Sequence, residues 1–193
     1  SGSTGNPKGV PITHKNLVNF LCSMAVEPGI NENDRLLSIT TISFDIAGLE
    51  LYLPLIKGAT LVLADQETAR DGRLLLEFLK KEEITFLQAT PTTWSMLLDS
   101  GWSEKLPIKA LCGGEALSTD LAKQILGNCD TLWNVYGPTE TTIWSSLKQI
   151  NVDHEFITIG KPIANTQIYI INEQGQLVAP GNTGEIAIGG DGV

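Results

Sequence analysis

Residues 59–88, ATLVLADQETARDGRLLLEFLKKEEITFLQ, decide the fold class of this chain. The stretch begins and ends with short apolar runs, residues 59–63 and 84–88, which are typical of buried strands. Between them, residues 73–82 space their apolar side chains as an amphipathic helix does and place basic residues in the last turn. A strand, a helix and a strand in this order predict parallel strands joined by a crossover helix.

The same alternation continues on both sides of this stretch. Thr13 is a plausible N-cap for a first helix, Gly58 ends a second, and Ser118 caps a later one. The further predicted elements are a helix over 16–26, a strand over 35–40, a helix over 46–56, a helix over 92–98, a strand ending at 110–112, a helix from 118 to 126 and a strand over 132–135. We therefore expect an α/β fold with a mostly parallel sheet covered by helices.

The pattern changes after about residue 156. Residues 167–172, 177–178 and 185–188 read as short strands separated by turns, which indicates antiparallel pairing. We expect one unit over residues 1–155 and a second, β-rich unit over residues 156–193.

Composition limits the function classes. The 193 residues carry a formal net charge of −9, so general affinity for nucleic acid or anionic membranes is not expected. The odd number of cysteines, without CxxC spacing, predicts that Cys22, Cys112 and Cys129 are buried free thiols of a cytoplasmic protein. No histidine lies near a cysteine, and no signal peptide or membrane span is visible, so neither a Cys/His metal site nor a membrane partner is expected.

The first ten residues, SGSTGNPKGV, have the composition of a phosphate-binding loop. Glycines let backbone N–H groups approach a polyphosphate, the hydroxyl side chains donate hydrogen bonds, and Lys8 supplies a positive charge. The Walker motif is excluded because Lys8 is not followed by Ser or Thr. A plain surface loop has the same composition, so both interpretations stay open from these residues alone.

Two loops that follow predicted strands carry further candidates, because ligands of open α/β sheets bind at the carboxyl ends of strands. One loop contains Gly113, Gly114 and Glu115, and the other reads YGPTE over residues 136–140. Tyr136 offers a flat face for a purine, although taken alone a packed core aromatic is the simpler interpretation. Glu115 is explained at least as well as a solvated loop carboxylate.

Several motifs in order resemble those of the adenylate-forming enzymes, which include acyl-CoA synthetases, luciferases and the adenylation domains of nonribosomal peptide synthetases. Besides the first ten residues, the matching stretches are SFDIAGLELYLPL from Ser43, LCGGEAL from Leu111, NVYGPTETTIW from Asn134, IGKPIANTQIYI from Ile159 and GEIAIGGDGV from Gly184. The resemblance covers essentially the whole chain. It implies that residues 1–155 are the α/β part of a large subdomain without its N-terminal half, and that residues 156–193 begin a small antiparallel β-barrel subdomain.

The resemblance also implies a nucleotide site for ATP and Mg2+. Asn134 would contact the adenine, Thr139 would offer a hydroxyl to a phosphate, and Glu140 would hold the metal ion. The predicted catalytic residues are Lys8, Thr139 and Glu140. The predicted nucleotide-binding residues are Ser1, Gly2, Ser3, Thr4, Gly5, Lys8, Gly114, Asn134, Tyr136, Gly137 and Thr139.

Asp45 separates the branches of this superfamily. From its position alone, an aspartate at the start of an apolar helix is an N-cap. In adenylation domains of peptide synthetases, the aspartate at this place pairs with the α-ammonium group of the substrate, which a fatty or aryl acid lacks. Asp45 therefore favours an amino acid substrate, with Phe44 at the mouth of the pocket.

The remaining pocket positions are carried over from the same motifs. They are Ile46, Leu49, Gln88, Leu111, Gly113, Val135, Ile143 and Trp144. No second charge is present, and Gln88 and Trp144 would occupy the space of a substrate side chain. The lining resembles that of glycine-activating domains, so glycine is the first choice and alanine the second. Taken singly, Ile46 and Leu49 are better explained as hydrophobic core, and only their register with the motifs indicates a pocket role.

The implied reaction has two steps, adenylation of the amino acid by ATP and transfer to the phosphopantetheine thiol of a carrier domain. Peptidyl carrier and condensation domains are the expected partners. The family's lysine-bearing small domain is not within these residues, so we expect the isolated 193 residues to be inactive. An acyl-CoA or aryl-acid ligase and a noncatalytic nucleotide-binding module are the alternatives.

Overall fold

The stretch 59–88 folds as a strand, two helices and a strand in the computed structural model, which describes residues 9–151, 153 and 156–193. The strands of the main sheet are β1 (Arg35–Ser38), β2 (Thr60–Leu63), β3 (Phe86–Ala89), β4 (Lys109–Cys112), β5 (Thr131–Tyr136), β6 (Ser146–Ile150) and β7 (Lys161–Pro162). The α-helices of the described residues are α1 (His14–Met24), α2 (Ala47–Lys57), α3 (Gln66–Arg70), α4 (Gly72–Lys81), α5 (Pro91–Asp99) and α6 (Thr119–Asn128).

The sheet has the order β2-β1-β3-β4-β5-β6-β7 within the described residues. Strands β1 to β5 are mutually parallel, and β6 and β7 run antiparallel to the neighbours they pair with. The predicted α/β class with a mostly parallel sheet is therefore confirmed. The two strands of the 59–88 stretch are not neighbours, because β1 lies between them: Leu37 is in register with Val62 on one side and Leu87 on the other.

Sequence signals placed most helices within a few residues. Thr13 caps α1 through a bond from the Asn16 N–H, as predicted, and α2 ends at Gly58 in the left-handed conformation. Helix α3 was not predicted, since its residues QETAR carry no apolar periodicity. Asp65 caps it, because the Asp65 carboxylate accepts a 2.7 Å hydrogen bond from the Thr68 N–H.

Alternate residues of the strands face two separate hydrophobic clusters. Leu37 and Leu87 face α4, α5 and α6, and we call this side the α4–α6 face. Leu36 and Phe86 face α1 and α2, and we call this side the α1–α2 face. Both faces of the central strands are thus covered, as in other parallel sheets.

The C-terminal part forms a two-stranded antiparallel sheet, β8 (Thr166–Ile171) with β9 (Glu185–Gly190). The predicted strand at 177–178 is reduced to a single bridge between Leu177 and Ile171. Strand β7 pairs with β6, so the main sheet extends beyond residue 156. The division of the chain at residues 155 and 156 stays a prediction.

The cysteine prediction is correct for two of the three thiols. Cys112 and Cys129 are buried, and burial raises the pKa of each thiol to about 12. The prediction is wrong for Cys22, which is exposed because it lies on the side of α1 opposite the buried Phe20 and Met24. In the described part of the chain, no helix is long and apolar enough to span a membrane.

Candidate active site

Four of the predicted nucleotide residues, Gly114, Asn134, Tyr136 and Gly137, line one cavity at the carboxyl ends of β4 and β5. A cavity of about 430 Å³ opens there between residues 114–117 after β4, residues 134–137 of β5 and its following loop, and residues 157–159. The Asn134 side-chain N–H donates to the Thr158 carbonyl oxygen at 2.9 Å, which ties β5 to the far wall. Tyr136 is half-buried and lines the cavity, which favours a ligand-facing ring over a fully packed core aromatic.

The loop after β5 has a conformation that the sequence did not signal. Thr142 and Ile143 have φ of 64° and 67°, a region that β-branched residues rarely adopt. A Cβ on Gly137 would lie 2.4 Å from the Ile143 carbonyl oxygen, so only glycine allows this close approach. The buried Thr142 hydroxyl donates to the Gly192 carbonyl oxygen at 2.7 Å and helps to hold the turn. Strained backbone of this kind is often found at functional sites.

Asp45 lies at the end of the loop from β1 to α2, beside a cavity of about 180 Å³. Ile143 and Thr139 line the same cavity from the loop after β5. The N-cap position of α2 is Ile46 and carries no side-chain cap, so the interpretation of Asp45 as an N-cap is wrong. Within the described residues, the Asp45 carboxylate has no hydrogen bond or ion pair. A half-buried carboxylate with that environment can receive a cation.

The other predicted pocket residues differ in burial. Phe44 is 63% exposed, and Ile46 is half-buried. The fully or nearly buried positions are Leu49, Gln88, Leu111, Gly113, Val135, Ile143 and Trp144. Apart from Gln88 and Gly113, these buried residues also belong to the cluster of the α1–α2 face, so burial alone does not separate a pocket role from a core role.

Trp144 packs against the main sheet, in contact with Gln88 of β3 and with Gly113, which follows β4. A Cβ on Gly113 would lie 2.8 Å from Trp144 Cη2 and 2.6 Å from Val135 Cγ2, so the indole ring packs directly over the glycine. The Trp144 indole N–H donates to Gln88 Oε1 at 2.7 Å. Gln88 Nε2 donates in turn to Glu50 Oε1 at 2.9 Å. Sequence reasoning missed Glu50, although a lone carboxylate within the apolar run IAGLELYLPL is a signal that it could have used.

Two carboxylates of the site, Glu115 and Glu140, are exposed. Glu140 is exposed in a 3-10 turn, Thr139–Thr141, and Thr139 is half-buried. No three Asp, Glu, His or Cys side chains of the described residues group as a metal site. One carboxylate together with substrate phosphates is nevertheless an arrangement that Mg2+ accepts, so Glu140 fits the predicted role. Glu115 accepts a 2.9 Å hydrogen bond from the Thr92 hydroxyl, which agrees with a solvated loop carboxylate.

The predicted phosphate loop, Ser1, Gly2, Ser3, Thr4, Gly5 and Lys8, lies outside the described residues. Its role stays a prediction.

Comparisons with known proteins find matches over all or nearly all of the chain. The family model described as AMP-binding enzyme matches residues 1–193. A dimodular nonribosomal peptide synthase of Bacillus subtilis (strain 168) is 45% identical over all of this chain, which spans 8% of that protein's length. Tyrocidine synthase 3 of Brevibacillus parabrevis is 40% identical over all of this chain and 3% of its own length. The crystal structure of a four-domain nonribosomal peptide synthetase bound to AMP and glycine matches 98% of this chain and 14% of that chain, with a TM-score of 0.95 and 50% identity.

Proposed function

The chain belongs to the AMP-binding enzyme family, and from that premise we propose that it is part of a peptide-synthetase adenylation domain that activates glycine with ATP. The observation that carries this proposal is the packing of Trp144 on Gly113. The Asp45 carboxylate, which has no partner in the described residues, supports it. The likeness to a synthetase solved with AMP and glycine supports it.

The substrate pocket has two parts in this proposal. Asp45 pairs with the α-ammonium group, because a cation that enters an apolar site needs a carboxylate to offset its desolvation. Trp144 and Gln88 occupy the place of a side chain and leave room for hydrogen, so alanine is the second choice. Because one methyl group changes the energy of a hydrophobic contact only modestly, discrimination between glycine and alanine is about 10- to 200-fold.

The reaction begins when a carboxylate oxygen of the amino acid attacks the α-phosphorus of ATP. The bond from that phosphorus to the bridging oxygen of the β-phosphate breaks, and pyrophosphate leaves. Asn134 and Tyr136 hold the adenine, while the Thr139 hydroxyl and Lys8 bind phosphate oxygens. Mg2+, when bound at Glu140, supplies positive charge to the phosphates. Positioning and charge stabilisation provide the catalysis, and no protein nucleophile takes part.

The adenylate is then attacked by the phosphopantetheine thiol of a carrier domain, with release of AMP. The relatives named above are synthetases of which this chain spans a small fraction, which supports carrier and condensation domains as partners.

A pyrophosphate-exchange panel tests the proposal in a protein that contains this chain within a complete adenylation domain. We expect exchange to be greatest with glycine, weaker with alanine and at background with serine and an aryl acid. Exchange driven by the aryl acid would replace the proposal with an aryl-acid ligase. Thermal stabilisation by ATP without exchange for any acid would indicate a noncatalytic nucleotide-binding module.

A further inference from the structure

Glu50 is a charged residue fully enclosed in the apolar face of α2. Its carboxylate accepts five hydrogen bonds. Oε2 accepts from the Ser38 hydroxyl at 3.0 Å and from the backbone N–H groups of Ile39 and Thr40 at 3.1 and 3.0 Å. Oε1 accepts from the Thr40 hydroxyl at 2.6 Å and from Gln88 Nε2 at 2.9 Å.

A deprotonated carboxylate accepts from all five partners, and three of them, the Ile39 and Thr40 backbone N–H groups and Gln88 Nε2, can only donate. Burial raises the pKa of Glu50, and the hydrogen bonds from Thr40, Gln88 and Ser38 oppose that rise. No Lys, Arg or His of the described residues forms an ion pair with it. Burial of a carboxylate without an ion-pair partner costs desolvation free energy, and a network of satisfied hydrogen bonds can hold its neighbours in one orientation.

The group it orients is the side-chain amide of Gln88. Gln88 Nε2 donates both to Glu50 Oε1 and to the Ile46 carbonyl oxygen, at 2.9 and 3.0 Å. Gln88 Oε1 is therefore turned toward the Trp144 indole N–H, which it accepts at 2.7 Å. A flipped amide would place two donors together at Trp144 and an oxygen against two acceptors at the other end.

We propose that Glu50 is a positioning residue for substrate selection: through Gln88 it fixes the Trp144 ring over Gly113 and so sets the size limit of the pocket. Glu50 does not line the cavities beside Asp45 or Asn134, and it acts only through its neighbours. The same carboxylate holds residues 38–40, from which the loop to Asp45 departs. This inference rests on the proposed activation of glycine.

We call the hydrogen bonds from Trp144 to Gln88 and from Gln88 to Glu50 the relay. Glu50→Gln tests it, because the most favourable arrangement of the new amide breaks the bond from Gln88 Nε2. The remaining oxygen stays with the three donors from Ser38, Ile39 and Thr40, which include two backbone N–H groups. The new amide nitrogen then faces the Thr40 hydroxyl, which can accept, and Gln88 Nε2, which cannot. Gln88 Nε2 then keeps only the Ile46 carbonyl oxygen as an acceptor, so the Gln88 amide is held less firmly and Trp144 can leave its position over Gly113.

The first measurement is the ratio of kcat/KM for glycine to kcat/KM for alanine, in the same complete domain. We expect Glu50→Gln to lower this ratio about tenfold, within the range that one methyl group can contribute, chiefly through a lower KM for alanine. Leu79→Ala is the control, since it removes buried apolar contacts on the α4–α6 face and should leave the ratio unchanged. A folded Glu50→Gln variant with an unchanged ratio would overturn the proposal.

The second measurement follows the Trp144 indole N–H by 15N NMR, with its signal assigned by Trp144→Phe. The hydrogen bond to Gln88 predicts slow exchange with solvent in the unmodified protein and faster exchange in Glu50→Gln, or in Glu50→Asp if the first variant does not fold. Free exchange in the unmodified protein would overturn the relay without any Glu50 variant. If neither glycine nor alanine is adenylated, the proposed function fails, while the indole measurement still decides whether the relay exists.

Discussion

The two faces of the main sheet are buried to a similar degree but are built differently. The α4–α6 face is an apolar cluster in which Leu75, Leu79 and Trp94 pack against the strands. The α1–α2 face combines an apolar cluster with the buried polar pair Glu50 and Gln88. Because an apolar contact has no preferred direction and a hydrogen bond has one, the first face contributes stability and the second can also hold a side chain in one orientation.

Asp45→Ala, on the side of the α1–α2 face, should give the largest loss of activity with little loss of stability. Loss of a charge partner in a desolvated site costs about 2–5 kcal/mol, which corresponds to roughly 30- to several-thousand-fold in rate. We expect glycine-dependent pyrophosphate exchange to fall by that factor, while the thermal midpoint changes little because Asp45 has no partner among the described residues. Exchange at the unmodified level would favour a ligase for an acid without an ammonium group.

The converse change is Leu79→Ala on the α4–α6 face. Leu79 is 1% exposed, and removal of such a side chain lowers the free energy of unfolding by about 2–5 kcal/mol. Denaturant titration measures this loss. The ratio of glycine to alanine activation should stay constant at temperatures where the variant is folded. A changed ratio would mean that the two faces are not independent.

Gly113→Ala should affect both stability and selection, to a smaller degree. The new Cβ would lie 2.6 Å from Val135 Cγ2 and 2.7 Å from the Val135 carbonyl oxygen, and overpacking of this kind costs about 1–3 kcal/mol. The Trp144 ring must shift, so we expect glycine activation to weaken, as measured by KM in the exchange assay. The proposed packing would be contradicted if neither the thermal midpoint nor the KM for glycine changed.

These differences also explain what the sequence could and could not predict. Helix α4 was found because RLLLEFLKKE is periodic, and the neighbouring α3 was missed because QETAR is not. Gln88 and Trp144 were identified as pocket residues by motif, but the hydrogen bond between them joins side chains 56 residues apart and depends on the packed sheet. The left-handed conformation at Thr142 could not be predicted, because glycine and asparagine are the residues that usually signal it.

The two faces also differ in where they place a carboxylate. Glu50 is buried within the α1–α2 face, whereas Asp71 lies at the exposed N-terminal end of α4 on the other face. The Asp71 carboxylate caps α4 by accepting from the N–H groups of Arg73 and Leu74 at 2.8 and 3.1 Å, and these bonds lower its pKa. Its contribution to stability is therefore present above the pKa of about 3.9 in the unfolded chain and is lost as the pH falls through the lower folded value.

We expect Asp71→Ala to lower the thermal midpoint slightly at pH 7 and the difference from the unmodified chain to shrink below about pH 4. Ser118→Ala is the matched control, because the Ser118 hydroxyl caps α6 without titrating, and its effect should stay the same across this range. Equal pH dependence of the two variants would show that the Asp71 effect does not arise from its charge.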